Sequence, residues 1–198
     1  MPDIEKAVSY MEEIAWNDAH GYSQENRYGK PDFDCSSLVA KALSVGGFDV
    51  KLTSYTGNLY QQLVKAGFIE KPVRGERKRG DILLTPGHHV VMCTDADHIV
   101  HASINELGGV SGGEPGDQTG KEICIRDYYT PSYGWDYHLR YEPKEETEEY
   151  QILYAPQVLI DVIIGKYGNY PERKEKLEAE GYDYTTIQKL VNEMLKGE

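Results

Sequence analysis

An α+β fold is predicted, on three observations. Up to Lys65 the apolar residues recur at helical spacing, whereas from Asp81 to Tyr141 they fall in short runs between turn signals. Past the charged stretch Glu142–Glu149 the helical spacing returns. Helices that precede strands, rather than alternate with them, favour an antiparallel sheet with helices packed on it. The segment beyond the charged stretch is predicted to form a small three-helix bundle.

Taken in order, Ile4, Ala7, Val8, Met11, Ile14 and Ala15 share one face and predict an amphipathic helix over 3–18. Ala19 to Phe33 is rich in Gly, Asn, Ser and Tyr and reads as a loop. A second helix opens near Cys35, carries Leu38, Val39, Ala42 and Leu43, and stops at Gly46-Gly47. A third spans Thr56 to Lys65, with Leu59, Leu63 and Val64 inward and Gly67 as its stop. Five strands follow: Asp81–Leu84, His89–Thr94, His98–Ala102, Glu122–Arg126 and Tyr137–Tyr141. Gly108–Gly120 is a long loop of the kind that carries function in compact domains. Glu106 and Asp117, beside it and within it, are placed to line a groove, with no chemical role assigned.

These elements divide the chain into a domain over 1–141, an acidic linker over 142–153 and a helical domain over 154–198. In the last, Val158, Leu159, Val162 and Ile163 form one stripe. Pro171 stands where a helix begins and Gly181 where it ends. Asp183 is a fitting N-cap for a final helix carrying Ile187, Leu190, Val191 and Leu195.

The chain of 198 residues is long enough for one full core and a small appendage. With 21 basic against 33 acidic residues it carries a net charge of −12, which repels nucleic acid and anionic lipid, so neither is expected as a partner. The basic cluster Lys71–Arg79 is interrupted by Pro and Gly and reads as a solvated loop. No apolar run approaches the length of a membrane span. Met1–Met11 is acidic and amphipathic, without the basic start and apolar core of a secretory signal, so synthesis in a cytoplasm is expected. Cys35, Cys93 and Cys124 are widely spaced and form no C-x-x-C pair, which argues against a disulfide scaffold and a thiolate zinc site. Cys93 and Cys124 sit in apolar strand-like runs and read as small hydrophobes.

Cys35 differs. It stands at the start of an apolar helix among polar Asp34, Ser36 and Ser37, where helix-start N–H groups and a nearby imidazole are expected to favour thiolate. His88 and His89 open one strand and face opposite sides of it, so one of the two can point at Cys35; His101 lies on the next strand. A thiol with a histidine base is the pattern for amide hydrolysis through an acyl-enzyme. A zinc site from His88 or His89, His101 and a carboxylate is the metal-dependent alternative, but neither H-x-x-x-H nor H-E-x-x-H is present. No cofactor or metal is expected.

Tyr22-Ser23, Arg27, Gly29 and Asp34-Cys35-Ser36-Ser37, then Gly80-Asp81-Ile82, His89-Val90-Val91-Met92 and Ile99-Val100-His101-Ala102, resemble the catalytic domain of NlpC-type cell-wall cysteine peptidases, in particular their bacteriophage lysin branch. The resemblance covers roughly residues 1–141 and departs at Ser37, where many members have Gly. It implies a papain-like fold, with Cys35 as nucleophile, His89 as base, His101 as the group orienting it and the Tyr22 hydroxyl at the oxyanion. Residues 154–196, from Val162-Ile163-Ile164-Gly165-Lys166-Tyr167-Gly168-Asn169 through Gly181-Tyr182-Asp183-Tyr184, resemble one Cpl-seven-type cell-wall-binding repeat. Tyr167 stands there for the usual Trp, and Pro171 where a glycine-bearing turn is typical. That family is a three-helix bundle recognising the muropeptide, which makes Lys166, Tyr167, Asn169 and Arg173 candidate ligand contacts.

Both resemblances imply peptidoglycan as the partner, and an endolysin-like hydrolase that acts on the wall after release from the cytoplasm. The bond is either the N-acetylmuramoyl–L-alanine amide or one within the stem peptide, such as D-glutamyl–lysine. A non-catalytic wall-binding or phage structural module and a metallohydrolase are the alternatives, and the intact Cys35, His89 and His101 set argues against the first.

Overall fold

A computed structural model describes residues 1–143 and 156–196. The chain divides into two compact units, Met1–Pro143 and Lys144–Glu198. Of the expected linker over 142–153, only Glu142 and Pro143 fall within the described residues.

The first unit opens with three helices, α1 (Ile4–Ala15), α2 (Cys35–Val45) and α3 (Thr56–Lys65). The strands β1 (Phe68–Lys71), β2 (Ile82–Thr85), β3 (His89–Cys93), β4 (His98–Ala102), β5 (Ile123–Asp127) and β6 (Tyr137–Tyr141) follow. They form one antiparallel sheet in the order β1-β6-β2-β3-β4-β5. This is the expected mixture of helices with an antiparallel sheet.

Alternation along the strands gives the sheet two apolar faces. Ile82, Leu84, Val90, Met92, Val100 and Ala102 join α1 and α2 in the main core, whereas Leu83, Val91, Cys93 and Ile99 pack with Trp135 in a second cluster. Helix α2 is buried along much of its length, with Leu38, Val39 and Leu43 fully covered. Each such side chain contributes about 1.5–3 kcal/mol by leaving water. That packing fixes where the helix starts, and so where Cys35 lies.

Two expectations for this unit need correction. Val64 is exposed, because only Leu59 and Leu63 of α3 reach the core. Strand β1 occupies Phe68–Lys71, between the Gly67 helix stop and the loop expected from Lys71. Its four residues bury only Phe68 and pair with β6 at the sheet edge, too brief an alternation to signal a strand.

The second unit contains α4 (Pro156–Ile163), α5 (Glu172–Ala179) and α6 (Tyr184–Lys196). Val158, Leu159, Val162, Tyr167, Leu177, Ile187 and Val191 form its core. Gly181 closes α5 at φ +87°, and Asp183 caps α6 by accepting the Thr186 N–H at 2.7 Å. Ile163 and Leu195, expected inward, are exposed. Both fall in the last turn of their helices, past the reach of the shared core.

Candidate functional site

Cys35 is the first residue of α2, and a polar clamp sets its position. Asp34 is the N-cap: its Oδ1 accepts the Ser37 N–H at 2.7 Å and the Ser36 hydroxyl at 3.0 Å, while Ser37 Oγ accepts the Asp34 N–H at 3.0 Å. Arg27 pairs with Asp34 at 2.9 Å, and its other arm donates to Ser36 Oγ at 2.9 Å and the Ser54 carbonyl at 2.8 Å. The clamp ties the loop before the helix to the segment after it.

The backbone N–H groups of Val90 and Ser36 lie near enough to the Cys35 sulfur to favour its ionised form, which puts it by the start of β3, one residue from His89. Cys35 is 7% exposed, and burial first, then the Asp34 charge, push its thiol up to about 12. This reverses the expected thiolate. The Val90 and Ser36 donors and Arg27 act in the predicted direction, but desolvation outweighs them.

His89 and His101 share the sheet face that bears Trp135. His89 Nε2 lies 2.9 Å from His101 Nδ1, and the rings meet edge to face with centroids 5.1 Å apart. Trp135 stacks near His89 and Tyr129 leans on His101. Burial holds His89 down to about 4. Burial first, then the His89 and Arg126 charges, hold His101 down to about 3. Both imidazoles are therefore neutral at physiological pH. His88, the other candidate on this strand, is exposed and stacks on Tyr133 at 4.7 Å.

Tyr22 is buried, and its hydroxyl accepts from Gln24 Nε2 at 3.4 Å. Burial and then the Cys35 charge push this phenol up to about 12, so it stays a protonated donor near the sulfur. Glu122, 100 positions away, holds the Tyr22 backbone by accepting its N–H at 2.9 Å, and accepts the Gln118 N–H at 3.0 Å. Asp32 accepts the N–H groups of Gly21 and Gly116, both at 2.9 Å. Gly21 meets Gly116 so closely that a Cβ would lie 2.2 Å from the Gly116 carbonyl oxygen. The long loop is thus fastened to the segment that carries Tyr22.

Asp117 organises that loop, accepting from Thr119 at 2.9 Å, Gly120 at 2.7 Å and Glu122 at 2.9 Å. Burial raises its carboxyl, but these donors together hold it below the usual range. Glu106 lines a groove of ≈ 870 Å³ shared with His101, Ser103, Asn105, Lys121 and Arg126. Sequence reasoning singled out neither Tyr129 nor Tyr133, and nothing in the local pattern marks them. Burial first, and among smaller contributions the Cys35 charge, raise both phenols, so both lie within electrostatic range of the sulfur.

In the second unit Tyr167 is a core residue whose hydroxyl donates to Glu180 at 2.6 Å. Lys166 pairs with Asp161, and Arg173 donates to the Gly168 carbonyl and Gln188 Oε1, both at 2.9 Å. Asn169 is exposed. Among the described residues no three His, Cys, Asp or Glu side chains converge as a metal site.

Residues 29–98 and 99–191 match a protein family described as the endolysin-like domain. No curated protein matches the sequence. Among solved structures, the chain is similar to one in the type VI native effector–immunity complex Tae3–Tai3 from Ralstonia pickettii. The identity is 20% at TM-score 0.40, over 71% of this chain and 99% of the other. It is also similar to the P60 domain of an antigen from M. avium subspecies paratuberculosis, at 16% identity and TM-score 0.45, over 70% and 96%.

Proposed function

The chain belongs to the endolysin-like domain family, and on that premise we propose that it is a peptidoglycan hydrolase using Cys35 as nucleophile and His89 as base. The observation that carries this reading is the His89–His101 hydrogen bond, set beside the β3 backbone N–H that favours ionisation of the Cys35 sulfur.

His89 Nε2 is engaged by His101, so Nδ1 is the nitrogen left to take a proton. With the thiol high and the imidazole low, the resting pair is neutral. The base therefore acts during attack: as Sγ bonds to an amide carbonyl carbon, its proton passes to His89. His89 then gives that proton to the leaving amine as the C–N bond breaks. Water, deprotonated by His89, attacks the thioester and releases the carboxylic acid and the free thiol. The Tyr22 hydroxyl, kept protonated, serves as a donor to the oxyanion.

In this reading the first unit is a papain-like NlpC-type domain of the bacteriophage lysin kind. The bond is the N-acetylmuramoyl–L-alanine amide or a stem-peptide link such as D-glutamyl–lysine. The second unit is a Cpl-seven-type wall-binding repeat, with Lys166, Asn169 and Arg173 at its surface and Tyr167 contributing from the core. Joining a binder to a cutter raises the local concentration of the site at an insoluble polymer. The protein acts on the wall after release from the cytoplasm that makes it.

Purified protein and its Cys35→Ala variant, added to isolated cell walls, test this. Wild type clears the suspension and the variant does not; equal clearing removes the cysteine mechanism. Mass spectrometry of the released fragments identifies the bond from its new termini.

A further inference from the structure

Of the two ring nitrogens of His101, one meets His89 and the other, Nε2, has no hydrogen-bond partner among the described residues. We propose that this Nε2–H is a substrate contact, donating to an amide carbonyl oxygen that enters the groove over β4 and β5. The proposal rests on the reading of His89 as the base.

Tautomer logic carries it. If His89 Nδ1 is to receive the Cys35 proton, it is unprotonated at rest, and the neutral ring carries its hydrogen on Nε2. The 2.9 Å bond then runs from His89 Nε2–H to His101 Nδ1 as acceptor. A neutral His101 that accepts at Nδ1 must hold its own hydrogen on Nε2. That hydrogen belongs to a side chain 1% exposed which nonetheless lines the ≈ 870 Å³ groove. A buried donor without an acceptor is costly, so an oxygen that fills the place binds with advantage.

The lining indicates which oxygen. Lys121 and Arg126 are balanced by Glu106 and Asp127, so the groove has no net preference for an anion, and Ser103 and Asn105 add neutral polar surface. That suits an amide, the group repeated along a peptide stem and present in the acetamido substituents of the glycan. Donation from Nε2–H to that oxygen also makes Nδ1 a better acceptor, which polarises His89 and strengthens it as a base. Groove occupancy then raises kcat and not only affinity.

Two measurements test this. In His101→Asn, Oδ1 takes the place of Nδ1 and accepts from His89, but nothing donates where Nε2 stood. Any loss of orientation at His89 lowers turnover of every substrate alike, but on a disaccharide–tetrapeptide kcat falls about tenfold further than on a minimal ester too short to reach the groove. Equal losses on both substrates overturn the proposal. Turnover by Cys35→Ala would instead strike the functional reading beneath it.

The second measurement needs no change at His101. In ¹⁵N-histidine-labelled Cys35→Ala protein, long-range ¹H–¹⁵N correlation shows His101 protonated at Nε2. That proton moves downfield on adding the free tetrapeptide if the amide is peptidic, or the peptide-free disaccharide if it is acetamido. A proton on Nδ1, or no response to either probe, overturns the proposal.

Discussion

Two pairs built on buried histidines lie in one sheet and are surrounded in opposite ways. His138 on β6 is bonded at both nitrogens, Nδ1 to the Pro72 carbonyl at 3.0 Å and Nε2 to Asp81 at 2.6 Å. Arg140 closes that network with two 2.7 Å contacts to the same carboxylate, and the Lys78 N–H adds another at 2.7 Å. Burial raises Asp81, but Arg140 and His138 outweigh it and hold the carboxyl below its usual range. The His89–His101 pair has a second imidazole in place of a carboxylate, and one nitrogen left open. A satisfied buried network with a counter-charge holds structure. A neutral pair with spare capacity is available for proton transfer.

That contrast is broken most directly by mutation. His89→Ala is expected to lower kcat/KM by roughly 10²–10⁴-fold, the usual worth of a positioned base, with a small change in melting temperature. Asp81→Ala should do the reverse. Leaving His138 and Arg140 without their carboxylate costs about 3–5 kcal/mol of stability, while kcat/KM measured well below the melting point stays near wild type. A large activity loss in folded Asp81→Ala would erase the distinction between the two sites.

Acid titration separates the sites further. His89 and His101 sit at about 4 and about 3 in the folded protein, below the ordinary 6.5. Between about pH 6.5 and 4 the unfolded chain therefore binds protons that the folded one does not. As pH is lowered through that window, stability is lost, by up to about 1.4 kcal/mol per pH unit for each imidazole. Asp81, held below 3.8, adds its loss only as pH falls further. Melting temperature against pH should show both steps, the upper one reduced in His101→Asn. The activity profile should keep its acid limb near pH 4, where His89 protonates. The smallest effect is expected of His88→Ala, within about threefold in kcat/KM, because this exposed ring only stacks on Tyr133.

What could be read from the amino acids was local. Thr56–Lys65 and Tyr137–Tyr141 follow from spacing and stop signals, since period and punctuation act over a few residues. The adjacency of His89 and His101 follows from two short strands in succession. The long-range terms did not show. Nothing local announces that Glu122 holds the backbone of Tyr22, that His138 meets Asp81, or that Tyr129 and Tyr133 come within electrostatic range of Cys35. The Cys35 thiol departs from expectation for the same reason. Donors at a helix start are visible in the chain, whereas the depth of burial that overrides them belongs to the assembled unit.

The covered, protonated sulfur also has a bearing on how the protein endures its surroundings. Oxidants and alkylating agents consume ionised, accessible cysteines first. A thiol at about 12 with 7% of its surface open gives them little to seize. Iodoacetamide at neutral pH should label Cys35 slowly in the folded protein and quickly once it is unfolded, so a preparation left without reductant should keep this thiol free.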